Sequence, residues 1–130
     1  MSDMQDKAVD LICRNCGDKT MASSSAYMRT ARYHNPDKFW LELIEGKGFV
    51  YGLRCKRHFR LIAIAVAKDF QRSGIASYLL SKVFERCWAD GLGEITFRTH
   101  KHGEALKFWQ KNGAFIVGEK GEDYEMKIVL

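Results

Sequence analysis

The stretch VAKDFQRSGIASYLL, Val66 to Leu80, decides the fold. An apolar run reaches it from Leu61, a polar turn containing Gly74 interrupts, and an amphipathic segment leaves from Ile75. Leu61–Ala67 is apolar at every position, which predicts a strand buried on both faces in the middle of a sheet. Beyond the turn, Ala76, Leu79, Leu80, Val83, Phe84, Cys87 and Trp88 recur at three- and four-residue steps. That spacing predicts a helix with an inward apolar face, Lys82, Glu85 and Arg86 pointing outward, and a stop at Asp90-Gly91. The first amides of such a helix have no intrahelical acceptors, and its dipole makes that end electropositive. Gly74 keeps side-chain bulk away, Ala76 is nearly as small, and Arg72 adds a positive charge. The turn Gln71–Ala76 therefore reads as a phosphate or pyrophosphate site. Neither GxxxxGK[ST] nor GxGxxG is present, so it is not a P-loop or a dinucleotide fingerprint.

Upstream, FWLELIE (Phe39–Glu45), FVYGLR (Phe49–Arg54) and FRLIAIAVA (Phe59–Ala67) are separated by the short turns GKG and CKRH, an antiparallel meander. Nearer the N-terminus, Val9–Cys13 is a short candidate strand and Ser23–Tyr33 a short helix capped by one of its serines. His34–Asp37 is a loop. Downstream, EITFRTH (Glu94–His100) is a strand and EALKFWQKN a short helix stopped by Gly113. AFIVGE and YEMKIVL then form a closing hairpin. The order gives an α/β chain, read as one domain over residues 1–130, with no linker, repeat or low-complexity tract.

Composition narrows the function classes. A chain of 130 residues, 46% apolar and 28% charged, can bury a core without staples. Its longest apolar run is too short to span a bilayer and its N-terminus is acidic and polar, so no membrane partner and a cytoplasmic location are expected. The four cysteines are then reduced thiols or metal ligands. The net charge of +5 is concentrated in RCKRHFR (Arg54, Lys56, Arg57, Arg60), which suits an acidic partner but reads first as a solvated hairpin turn.

The run Gln71-Arg-Ser-Gly-Ile-Ala76 after an apolar strand resembles the Q/R-x-x-G-x-G/A signature of the GCN5-related N-acetyltransferase (GNAT) superfamily. HGEALKFWQKNGAF is similar to that family's later helix and strand, and the resemblance runs from Lys38 to Leu130. It implies the GNAT acyl-CoA N-acyltransferase fold, a mixed and mostly antiparallel sheet flanked by helices, here with a shortened N-terminal helical region. It also implies acetyl-CoA as cosubstrate and a primary amine on a small molecule or protein as acceptor. Pantetheine would lie along the main chain of Ile64 and Val66. The pyrophosphate would take the turn Gln71, Arg72, Ser73, Gly74, Ile75 and Ala76, with Phe108 and Lys111 flanking the cofactor. A homodimer is compatible with the family.

Two departures follow from the same resemblance. The family's acidic tyrosine is replaced by Trp109, whose indole N–H donates but does not serve as an acid. The central strand also lacks the usual glutamate base. His100, at the end of EITFRTH, is the substitute whose ordinary pKa suits proton transfer near neutrality. His102 stands where asparagine is common, and Tyr78, Tyr124, Glu42 and Glu45 are further candidates. Two alternatives stay open: a catalytically divergent CoA-binding module or sensor, and a basic module using RCKRHFR on nucleic acid, which ranks last. Cys13, Cys16, Cys55 and His58 form two knuckles with zinc-like spacing, and as neighbouring ends of one sheet edge they could meet. A structural zinc is weighed against unligated thiols and not adopted, so no metal site is assigned. Cys87 reads as core.

Overall fold

The computed structural model describes residues 2–17 and 24–130. Two helices come first, α1 (Ser2–Asn15) and α2 (Ser24–His34), then strands β1 (Phe39–Ile44), β2 (Gly48–Arg54) and β3 (His58–Val66). A 3-10 turn (Lys68–Phe70) leads into α3 (Ile75–Ala89), followed by β4 (Glu94–His100), α4 (Ala105–Lys111), β5 (Phe115–Lys120) and β6 (Asp123–Val129). The six strands form one sheet in the order β1-β2-β3-β4-β6-β5. Only β3 and β4 run parallel; the other four pairings are antiparallel. This is the mixed, mostly antiparallel sheet expected from the sequence. The right-handed preference for parallel crossovers explains why α3 must lie across a sheet face between them.

The sheet is covered on both faces by different helices. Leu79, Leu80, Val83 and Cys87 of α3 and Trp109 of α4 pack with Phe59, Leu61, Ile95, Phe97, Met126 and Ile128. Val9, Ile12 and Cys13 of α1 and Met28 of α2 pack with Phe49, Tyr51 and Ala65. The N-terminal helices are also tied to each other: the Arg32 Nη1–Asp6 Oδ1 pair spans 3.0 Å, and the Ser25 hydroxyl donates to the Asp10 carboxylate.

Three expectations change. Val9–Cys13 is part of α1 and not a strand, so this region holds two helices. Val9, Ile12, Cys13 and Cys16 are buried at three- and four-residue steps while Leu11 stays exposed, a helical pattern that a five-residue window is too short to reveal. The helix expected over Ser23–Tyr33 is α2, and Ser23, one of the serines offered as its cap, lies outside the described residues. The zinc reading loses its geometry. Cys16 sits beside Gln71 and Val66 at the end of β3, whereas His58 begins that strand and Cys55 precedes it. A nine-residue strand separates them by roughly 26 Å. Among the described residues no three potential ligands cluster.

Trp88 is the third correction. It is 64% exposed, touching Phe84 at 5.9 Å between ring centres, while Leu79, Leu80, Val83 and Cys87 face the core. The inward stripe of α3 is one residue narrower than its sequence suggests. In RCKRHFR, Arg54 pairs with Asp90 at 3.3 Å and Arg60 with Glu125, which leaves Lys56 and Arg57 as its exposed cations. No helix among the described residues is long and apolar enough to cross a membrane.

Candidate cofactor cleft

The cleft originates in a bulge. Tyr51 pairs with Ala63 but its neighbour Gly52 pairs with Leu61, so Ile62 is an extra residue in β3. Gly52 is required there, because a Cβ would meet the Arg60 carbonyl at 2.3 Å and the Phe59 ring at 2.7 Å. The inserted residue reverses the side-chain alternation. Leu61 packs under α3 and α4, while Ala63 and Ala65 pack under α1 and α2. Ile62 itself is 41% exposed, so the central strand is not buried on both faces throughout.

Next to the bulge the sheet parts. β3 and β4 pair at His58↔Glu94, Phe59↔Ile95 and Arg60↔Thr96 and then no further, although both strands continue. β4 stays paired to β6 as far as His100↔Asp123. The unpaired edge of β3 carries the main chain of Ile64 and Val66. Ala67 N–H donates to the Lys47 carbonyl at 2.7 Å on the β2 side, so the alternate residues Val66 and Ile64 turn their groups toward the gap. The resulting cavity has a volume of about 770 Å³.

At the end of this edge, the turn and α3 supply donors. Arg72 has φ 64 and Gly74 φ 87, both left-handed, the kind of backbone that presents consecutive N–H groups to one side. A Cβ at Gly74 would touch nothing within 4 Å, so the positive φ is what favours glycine there. Holding Arg72 left-handed costs about 1–2 kcal/mol, a strain typical of ligand-binding turns. No side chain caps α3, and its first intrahelical bond, Tyr78 N–H to the Gly74 carbonyl, spans 3.0 Å. The amides of Ile75, Ala76 and Ser77 therefore lie N-terminal to the helical ladder with no cap.

Of the positions named from sequence, Ile64, Val66, Gln71, Arg72, Gly74, Ala76 and Phe108 line the cavity together, and His100 joins them. Ser73, Ile75 and Lys111 do not line it: the Ser73 hydroxyl donates back to the Phe70 carbonyl, Ile75 packs on the core, and Lys111 ends α4 exposed. Trp109 is 4% exposed with its ring 4.2 Å from Phe97, a packed wall of the cavity. His100 lies four residues past Thr96, toward the mouth, and its Nδ1 accepts the His102 N–H at 3.4 Å. Tyr78, Tyr124, Glu42, Glu45 and His102 are not among the lining residues.

The sequence reading missed Cys16 and Gly17, Ile62, Arg98 and Glu104, all of which line the cavity. Gly52 inside FVYGLR was the available signal for the bulge, since a glycine within a strand often marks one. No local signal brings Cys16 to the cleft, because that depends on where α1 docks.

A family model described as acetyltransferase (GNAT) domain matches residues 35–113, more than half of the chain. Comparison with curated protein sequences gave no match. Among solved structures, the chain is similar to a ribosomal-protein-alanine N-acetyltransferase from Escherichia coli. The TM-score is 0.79 at 13% identity, over 99% of this chain and 90% of that one. It is similar to the PaiA N-acetyltransferase of Thermoplasma acidophilum in complex with coenzyme A, with a TM-score of 0.77 at 12% identity over 96% and 94%. A third structure, from Elizabethkingia anophelis and with acetyl-CoA bound, gives 0.63 at 17% identity over 78% and 83%. At these identities the likeness concerns the fold.

Proposed function

The chain belongs to the acetyltransferase (GNAT) domain family, and on that premise we propose that it moves an acetyl group from acetyl-CoA to a primary amine. The observation that carries this reading is the parting of β3 and β4 after Arg60↔Thr96, directly before the uncapped start of α3. An extended, partly apolar chain with an anionic end fits such a gap. Its amides would pair with the free edge at Ile64 and Val66 as an added strand does. Its pyrophosphate would meet the turn amides from Arg72 to Ala76 and the positive end of the helix. Phe108 would flank the cofactor from α4, with Lys111 one turn further along.

Acetyl-CoA supplies an activated thioester; the chain's own residues hold it and manage protons. The attacking amine must be neutral, and His100, the imidazole lining the cavity, is the group that takes its proton in this reading. The leaving CoA thiolate needs a proton that Trp109 cannot supply as an acid; in this reading the proton taken up by His100 returns to it through water. Support for the acceptor stops at its class, an amine on a protein or a small molecule.

Calorimetric titration with acetyl-CoA tests the binding half. Wild type should show saturable heat at one site, and Gly74→Trp should remove it. No heat above dilution for the wild type would overturn the proposal. Thiol release with a panel of amines then tests transfer, and His100→Gln should lower turnover with little change in acetyl-CoA affinity.

A further inference from the structure

Beside the cleft, two main-chain carbonyls meet one side chain. α1 ends at Asn15, and the Cys16 carbonyl follows it directly. Val66 closes β3 where β4 has already parted from it, and its carbonyl faces the unpaired side. The Gln71 carboxamide meets both. Its Nε2 donates to the Cys16 carbonyl at 2.9 Å and to the Val66 carbonyl at 3.1 Å, spanning 55 residues of sequence in the first case. A primary amide has two N–H bonds, so its donor capacity is used up. What remains is an acceptor oxygen, which has nothing to offer a phosphate.

We infer that Gln71 is a positioning residue: it holds the end of α1 over the cofactor cleft by bridging Cys16 and Val66, and acts on the cofactor through them. The ligand in this inference is the acetyl-CoA of the proposed function. Cys16 and Gly17 line the same cavity as Gly74 and Ala76, so the placement of α1's end sets one wall of the site. That end also carries the buried Ile12 and Cys13, packed among Phe49, Tyr51 and Ala65. One side chain thus registers the helical layer on one face of the sheet against the turn that starts the helix on the other.

Three variants separate bridging from direct contact. Gln71→Glu is nearly isosteric but turns carboxylate oxygens toward two carbonyls. Gln71→Leu removes the donors without adding charge, and Gln71→Arg keeps donors. In the ligand-free chain, amides of residues 12–17 should exchange on the order of tenfold faster in Gln71→Glu and Gln71→Leu, as expected when a hydrogen bond of ordinary strength is lost. Gln71→Arg should restore protection. The dissociation constant for acetyl-CoA should rise and recover in the same order, with kcat at saturating cofactor unchanged. If Gln71→Glu and Gln71→Leu leave exchange at 12–17 at the wild-type rate, the bridge is not what the side chain contributes, whatever happens to cofactor affinity. A failure of Gln71→Arg to restore protection would also count against it. The exchange arm uses no ligand, so a wild type that binds no acetyl-CoA would remove the functional proposal and leave the bridge to be judged by residues 12–17.

Discussion

At Cys87 two influences act on one thiol in the same direction. Burial in the α3 core and the nearby Asp90 carboxylate both disfavour the thiolate, pushing its pKa from 9.0 up to about 11. A thiol that ionises later in the folded chain than in the unfolded one keeps a proton that the unfolded chain gives up. The folded state therefore loses stability as pH rises from about 9 to about 11, and below that window the term is constant. Urea unfolding at pH 8 and at pH 10.5 should show a larger loss for wild type than for Cys87→Ala. The excess should be of order 2 kcal/mol; equal losses would mean that the thiol does not titrate differently in the two states. Single residues were unevenly legible. Cys87 as core followed from helical spacing alone, but Trp88, beside it on the same stripe, is exposed. Gln71 was legible as part of the turn, yet its partners were not, since one of them, Cys16, lies just past the end of α1, 55 residues away.

Helix α3 shows how an element can be both stable and reactive at one end. Its first turn has no acidic residue and no side-chain cap, although Asp, Glu or a capping hydroxyl would stabilise it. Leaving those amides unsatisfied keeps them for a ligand. Ser77→Glu exploits the conflict, because Ser77 is exposed, lines the cavity and occupies the third helical position. A carboxylate there should raise stability by roughly 0.3–1 kcal/mol through the dipole. The same charge beside a pyrophosphate should weaken acetyl-CoA binding on the order of tenfold at surface-like dielectric. A melting temperature that is maintained or raised, together with a higher dissociation constant, is the expected pair of results; tighter binding would place the phosphates elsewhere. α3 was readable because fifteen residues give several helical periods. α1 was not legible in Val9–Cys13, because a window of five residues does not distinguish periods of 2 and 3.6. With α1 misassigned, the apparent meeting of Cys13 and Cys16 with Cys55 and His58 had no basis.

The whole molecule is a sheet that is continuous at one end and divided at the other. The meander β1-β2-β3 carries α1 and α2, the set β4-β6-β5 continues from it, and α3 and α4 cover the opposite face. The α/β class, the meander β1-β2-β3 and the closing hairpin were legible because each strand is bounded by turn residues, whereas the place of β6 between β4 and β5 was not. The division was not, since apolar sequence alone does not say whether a strand's neighbour stays or leaves. Where the strands part, the Arg60 guanidinium reaches the Glu125 carboxylate across β4, with the Nη2–Oε1 contact at 3.2 Å. Beyond that point the apolar cluster under α3 and α4, which draws on β2 and β3 and on β4 and β6, joins the halves, so a ligand in the gap would act as a missing strand. Acetyl-CoA at a hundred times its dissociation constant should add about 2.7 kcal/mol by mass action, a rise of about 10 °C in melting temperature for a chain of this size. Any tight ligand would do that much, so location is the sharper test. Hydrogen exchange should slow most at the amides of Ile64, Val66 and residues 72–76. Edge strands β1 and β5 should slow only by the global increment. Protection centred on α1 and α2, or spread evenly over the sheet, would mean that the ligand does not enter the parting of β3 and β4, and the added-strand account of this fold would fail with it.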